Sequence, residues 1–153
     1  MCIRDSFKQL TDELKSSQVT KVDFSSCGIG PVALGHLSEW VREATAAVAR
    51  LNLTGCGLTG GTKTLWNGSE YTWEKMDSDM SGFISLCSAL GKVKEIILAD
   101  CGLGPDSVAE LSKVFTCADA ALTKIDVGNN ELDPDSLKAL KAAASEECEV
   151  LCD

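Results

Sequence analysis

The residues of this chain most able to do chemistry are eight cysteines, one histidine and a short acidic segment. A single histidine, His36, excludes metal sites and catalytic pairs built on several histidines. No known motif places a serine or cysteine beside His36, and the sequence contains no phosphate loop or dinucleotide fingerprint. We therefore expect a protein that is not an enzyme and that carries no cofactor.

The acidic segment, residues 77–84, offers oxygen ligands of the kind that calcium prefers. It resembles the first eight positions of an EF-hand loop, with Asp77, Asp79 and Ser81 at ligand positions 1, 3 and 5. The twelfth position would be Ser88, where that loop needs a bidentate glutamate. The alternative is that these side chains cap the N-terminus of a following helix, where negative charge is favourable. We expect capping and keep a calcium-responsive module as a second hypothesis.

Eight cysteines in 153 residues would suggest a disulfide framework in a small secreted protein. The N-terminal sequence has no apolar stretch of the length that a signal peptide needs, so we expect reduced thiols and a cytoplasmic location. A disulfide between Cys148 and Cys152 stays open. The formal charge of −9 argues against nucleic acid or an anionic membrane as partner.

An internal repeat offers another explanation for several of the cysteines. The pattern L-x-x-L-x-L-x-x-N/C-x-L, with aliphatic or Phe substitutions, occurs four times. The copies are VTKVDFSSCGI (19–29), VARLNLTGCGL (48–58), VKEIILADCGL (93–103) and LTKIDVGNNEL (122–132). Its N/C position is taken by Cys27, Cys56, Cys101 and Asn130. The pattern resembles the leucine-rich repeat family, specifically its ribonuclease-inhibitor-like class with 29-residue units.

The resemblance implies an α/β solenoid in the form of a horseshoe arc, with parallel strands on the concave face and helices on the convex face. Strands are predicted near 20–25, 49–54, 94–99 and 123–128. A short fifth strand is predicted at 148–151, where Leu151 follows Leu122 by one 29-residue period. We assign residues 7–153 to the repeat domain, with a first helix at 7–14, and residues 1–6 to an unstructured or non-native tail.

Helical spacing follows each of the four repeat copies, as in Leu34/Leu37/Val41 and Phe83/Leu86/Leu90. Pro31, Pro105 and Pro134 precede three of these helices at equivalent places. In the family, the side chain at the N/C position is buried and caps backbone groups. The resemblance therefore implies that Cys27, Cys56, Cys101 and Asn130 form a buried structural ladder rather than a metal or redox cluster.

The second unit carries an insertion at 60–82. Asn67-Gly68 between two strand-like runs predicts a hairpin with a two-residue turn, which would pair Trp66 with Ser69 and Thr62 with Trp73. That register would group Trp66, Tyr71 and Trp73 on one face. The three aromatic residues then either cover an open edge of the solenoid, which we favour, or form a weaker partner-binding surface.

The family resemblance implies a module or scaffold that binds another protein. The outward strand positions would form the binding surface, and regulation of a small GTPase is an alternative function. The candidate contact residues of this concave face are Lys21, Asp23, Ser25, Arg50, Asn52, Thr54, Glu95, Ile97, Lys124 and Asp126. Because the first strand would have an unpaired edge, self-association through that edge is a further expectation.

Overall fold

A computed structural model describes residues 20–43, 48–66, 68, 70–90, 93–115, 122–130, 132–144 and 148–152, with the backbone alone for residues 66, 70 and 71. The predicted tail at 1–6 and helix at 7–14 lie outside this range. The fold is α/β, as predicted, with a five-stranded parallel sheet and four helices in the described part.

The sheet strands are short and follow one another in chain order. They are β1 (Lys21–Asp23), β2 (Arg50–Asn52), β5 (Glu95–Ile97), β6 (Lys124–Asp126) and β7 (Glu149–Leu151). Each lies within a segment predicted as a strand. Every neighbouring pair is parallel, so the sheet order is β1-β2-β5-β6-β7. Between β2 and β5 the chain forms a separate antiparallel hairpin, β3 (Thr62–Trp66) and β4 (Glu70–Glu74).

The described helices are α1 (Pro31–Glu43), α2 (Ser81–Ala89), α3 (Pro105–Val114) and α4 (Pro134–Ala143). Three of them begin at the prolines that the sequence marked, because a residue in the first helical turn has no intrahelical use for its N–H group. Phe83 and Leu86 of α2 are fully buried, as are Leu34 and Leu37 of α1. Consecutive helices pack against each other in chain order and form one layer.

The core lies between this helix layer and one face of the sheet. The central residue of β2, β5 and β6 is fully buried, whereas the residues on either side of it are exposed or half-buried. This alternation is typical of a sheet that is covered on one face only. Leu53, Leu98 and Ile125 are fully buried, which confirms the predicted core register.

The fifth strand departs from the 29-residue period. Val150 pairs with Ile125, and Leu151 pairs with Asp126 rather than taking the place equivalent to Leu122. The connection between α4 and β7 is shorter than the one between α3 and β6, because α4 ends at Ala143 and β7 begins at Glu149. The predicted strand exists, but the predicted register was wrong.

The hairpin register also differs from the prediction. Trp66 pairs with Glu70, Leu65 with Tyr71 and Lys63 with Trp73, so the loop has three residues instead of two. Gly68 has φ +76°, the left-handed conformation that three-residue loops commonly contain. The predicted grouping of the three aromatic residues on one face depended on the two-residue loop and is not supported.

Candidate binding surface on the open face of the sheet

Parallel pairing aligns the first and third residue of every strand into two columns on the side of the sheet away from the described helices, which we call the open face. The first column is Lys21, Arg50, Glu95, Lys124 and Glu149; the second is Asp23, Asn52, Ile97, Asp126 and Leu151. The strands therefore bring together eight of the predicted contact residues. The other two, Ser25 and Thr54, lie in the turns just after β1 and β2.

The first column alternates in sign over most of its length. Arg50 and Glu95 approach each other to 3.6 Å between Nε and Oε2, and both side chains are well exposed. An exposed pair of this kind contributes little to stability, about 0 to 1 kcal/mol. Lys21 and Arg50, in contrast, are two cations in register on neighbouring strands.

Three residues of the second column also stabilise the turns that follow their strands, which the sequence prediction missed. Asp23, Asn52 and Asp126 each accept a hydrogen bond from the backbone N–H two residues later, at 2.9 to 3.0 Å. Asp and Asn commonly stabilise turns in this way. The sequence did contain a signal for these turns, because an Asp or Asn stands two residues before Ser, Thr or Gly at the ends of three strands.

The turn hydrogen bonds also favour the ionised form of Asp23. Hydrogen bonds from Ser25 lower the pKa of the Asp23 carboxyl group, and the nearby Arg50 charge lowers it further. Asp23 therefore stays ionised in the turn. Ile97 has no such turn contact among the described residues and gives the centre of the open face an apolar side chain that is half-buried.

Behind the open face, the N/C positions form hydrogen bonds to the unit before. Cys56 donates to the carbonyl oxygen of Phe24 at 3.4 Å, Cys101 to that of Leu53 at 2.9 Å, and Asn130 to that of Leu98 at 2.8 Å. All three donor side chains are buried. The predicted ladder is thus present at three of its four positions.

Cys27 is the exception. It was predicted to be buried, but it is exposed, and its thiol donates to the nearby carbonyl oxygen of Ser25, at 3.6 Å. The other ladder residues reach back to the turn of a preceding strand. Because β1 is the first strand of the sheet order, the described residues provide no earlier turn for Cys27 to reach.

The hairpin is attached to the turn after β5 through Asp100. This carboxylate accepts a hydrogen bond from Trp73 Nε1 at 2.9 Å and also pairs with Lys63, which lies opposite Trp73 in the hairpin. The Trp73 ring is buried against Gly102, where a side chain would collide with it. Trp73 therefore packs against the turn after β5. The side chains of Trp66 and Tyr71 lie outside the described residues, so the prediction for the three aromatic residues together stays a prediction.

The calcium candidates do not converge on one point. The Asp77 carboxylate accepts hydrogen bonds from the backbone of Gly104 at 3.1 Å and of Asp106 at 2.9 Å, at the start of α3. Asp79 instead accepts from Ser81 N at 3.2 Å and Ser81 Oγ at 2.6 Å, and these bonds lower the pKa of Asp79.

Both carboxylates therefore cap helices, but only Asp79 caps the helix that follows it. Asp77 caps the helix of the next unit, which the sequence prediction did not foresee. No group of three or more His, Cys, Asp or Glu residues in the described part of the chain is arranged to hold a metal ion.

The six cysteines for which the structure gives a state are free thiols, including Cys148 and Cys152. Burial raises the pKa of Cys87 and of Cys101 to about 12 in each case, which removes the reactive thiolate at neutral pH. Within the described ranges, no helix has the length and apolar character needed to cross a membrane.

Comparisons with known proteins do not assign the chain to a family. No model of a known protein family matches the chain. A search of curated proteins gave no significant match either.

Proposed function

We propose that the chain is a leucine-rich-repeat solenoid of the ribonuclease-inhibitor-like class that binds another protein through the open face, which would be the concave side of the arc. The observation that carries this proposal is the one-sided sheet. In the described part of the chain, four helices cover one face, while two columns of aligned side chains remain at least partly accessible on the other. Parallel sheets are usually covered on both faces, so an uncovered face is available for a partner.

The repeat hydrogen bonds support the solenoid. Cys56, Cys101 and Asn130 bond in the same way to the preceding unit, at the positions that the sequence pattern equates. Stacked repeats of this kind contact mainly their neighbours and present extended surfaces for binding.

The composition of the open face favours a protein as the partner. Charges of both signs alternate around the half-buried apolar side chain of Ile97. An apolar centre within a polar surround is common in protein interfaces, whereas a nucleic acid would need a surface of positive charge. The open face offers no arrangement of an activated nucleophile and a base, and we propose a role in binding rather than catalysis.

Affinity capture with a matched pair of variants tests this proposal. Ile97→Arg places a long cation at the centre of the open face, whereas Ala139→Arg makes a comparable change on an exposed part of α4. We expect a protein captured by the unmodified chain to be lost with Ile97→Arg and retained with Ala139→Arg. Retention by both folded variants would contradict binding through the open face.

A further inference from the structure

A shallow cavity of about 130 Å³ lies at the β1–β2 end of the open face, lined by Lys21, Val22, Asp23, Arg50 and Asn52. Its two cations are direct register neighbours on strands about 4.8 Å apart. Like charges placed opposite each other in a sheet are unfavourable. The chain has 23 acidic and 14 basic side chains, so two neighbouring cations are less expected in it than a cation beside an acid.

The charges of the two cations are compensated in part, by Glu95 and by Asp23, whose carboxylate also interacts with the Arg50 charge. Arg50 directs its Nε toward Glu95 on the far side, at 3.6 Å, which leaves the terminal guanidinium nitrogens for other contacts. Lys21 forms no ion pair with any residue in the described ranges. Asp23 is the one acid in the cavity, and its Oδ1 already accepts a hydrogen bond from the backbone of Ser25.

Asn52 adds a neutral donor to the same cavity. Its Oδ1 accepts from Thr54 N at 3.0 Å and from Thr54 Oγ1 at 2.7 Å. These two bonds fix the orientation of the amide and leave the NH₂ group as the part available to a ligand. The cavity thus combines an ammonium, a guanidinium and an amide NH₂, all of which donate hydrogen bonds.

We propose that this cavity binds a carboxylate side chain of the partner, so that the open face recognises an acidic segment. The inference rests on the proposed function and names the chemistry of the partner. A carboxylate accepts hydrogen bonds from all three donor types, and charge-assisted bonds of this kind are the stronger ones. The fixed charge of Asp23 repels a dianion more than a monoanion, which favours a carboxylate over a phosphate.

Fluorescence polarisation with synthetic peptides tests the inference. The probe is a labelled peptide that alternates Glu and Gly, and the reference replaces every Glu by Gln. We expect the Glu peptide to bind the unmodified chain more tightly, and Lys21→Ala with Arg50→Ala to weaken its binding by about tenfold, as expected for the loss of two exposed ion pairs. The matched control, Lys138→Ala with Lys141→Ala, removes the same charge from α4 and should leave binding unchanged.

Asp23→Asn provides a test in the opposite direction. It keeps an acceptor for Ser25 while removing the repulsive charge, so the Glu peptide should bind more tightly. Equal affinity for the Glu and Gln peptides, or equal loss with the α4 control, would overturn the inference. Preference for a phosphoserine peptide would also overturn it. The proposed function would still stand in each case if Ile97→Arg abolished capture of a partner.

Discussion

The buried side chain of Asn130 forms five hydrogen bonds to backbone groups. Its amide nitrogen donates to the carbonyl oxygens of Leu98, Val127 and Gly128, and its Oδ1 accepts from the backbone of Cys101 at 2.7 Å and of Leu103 at 3.3 Å. The thiol at the equivalent position of the preceding unit is a weaker donor and has no comparable acceptor. Asn130 therefore forms hydrogen bonds both within its own unit and to the preceding one.

Asn130→Ala should lower the free energy of unfolding by about 3 kcal/mol, because it leaves several buried backbone groups without a partner. Urea denaturation measures the change. Lys138→Ala, on the exposed side of α4, is the control and should have almost no effect. An Asn130→Ala variant as stable as its parent would contradict the ladder.

The thiols should react at very different rates in the folded protein. Cys27 is exposed and should be alkylated quickly, whereas Cys87 and Cys101 are buried with a pKa of about 12 and should react only on unfolding. Timed labelling at mildly alkaline pH, followed by peptide mass spectrometry, distinguishes them. Rapid labelling of Cys101 would show that the hydrogen bond to Leu53 is not formed.

For single residues, the sequence correctly predicted burial of the ladder at Cys56, Cys101 and Asn130 but not at Cys27. The repeat pattern placed Cys27 and Cys101 in equivalent positions, yet burial depends on a neighbouring unit that a single repeat does not contain. The turn hydrogen bonds of Asp23 and Asn52 were not predicted, because the repeat pattern marks these residues as outward strand positions and does not specify turn contacts.

Among the elements, the insertion is the clearest example of a local pattern changed by tertiary contacts. Asn67-Gly68 predicted a two-residue turn, but Asp100 binds both Lys63 and Trp73, which requires these two residues to lie opposite each other. A one-residue shift would move one of them to the other face of the hairpin. The hairpin was predictable from the sequence; its register depended on a residue outside it.

Asp77 connects the insertion to the next helix, and its removal should affect that helix. Asp77→Gly tolerates the positive φ at this position and should cost about 1 kcal/mol, the usual contribution of a helix cap. Hydrogen exchange should show reduced protection at the start of α3. Asp79→Gly is the comparison and should act on α2 instead; loss of protection in α2 rather than α3 on removal of Asp77 would contradict the assignment.

The cap of α4 should respond to acid. Hydrogen bonds from Ser136 lower the pKa of Asp133 below its ordinary value of 3.8. The stabilisation is therefore fully present above that ordinary value and is lost as the pH falls through the lower folded value. Thermal melting of Asp133→Asn should depend less on pH in the acid range than that of the parent. If both proteins showed the same dependence on pH in the acid range, Asp133 would not contribute to the loss of stability in acid.

For the whole molecule, the resemblance of the repeat pattern to a known family implied a parallel α/β arrangement, and the structure has a parallel sheet with its strands in chain order. The register of β7 was not predictable in the same way. The 29-residue period assumes equal connections, and the segment between α4 and β7 is shorter than the preceding one. Val150 still aligns with the buried Ile125 and packs against the core, although it is only half-buried itself.

We propose that the face of the sheet opposite the described helices is the surface that binds a protein partner. Site-specific photo-crosslinking tests it most directly: a photoreactive phenylalanine analogue replaces Ile97 on the open face or, as control, Ala139 on the exposed side of α4. We predict crosslinks to a protein partner from position 97 and none from position 139. Crosslinks from position 139 alone, with both variants folded, would contradict binding through the open face.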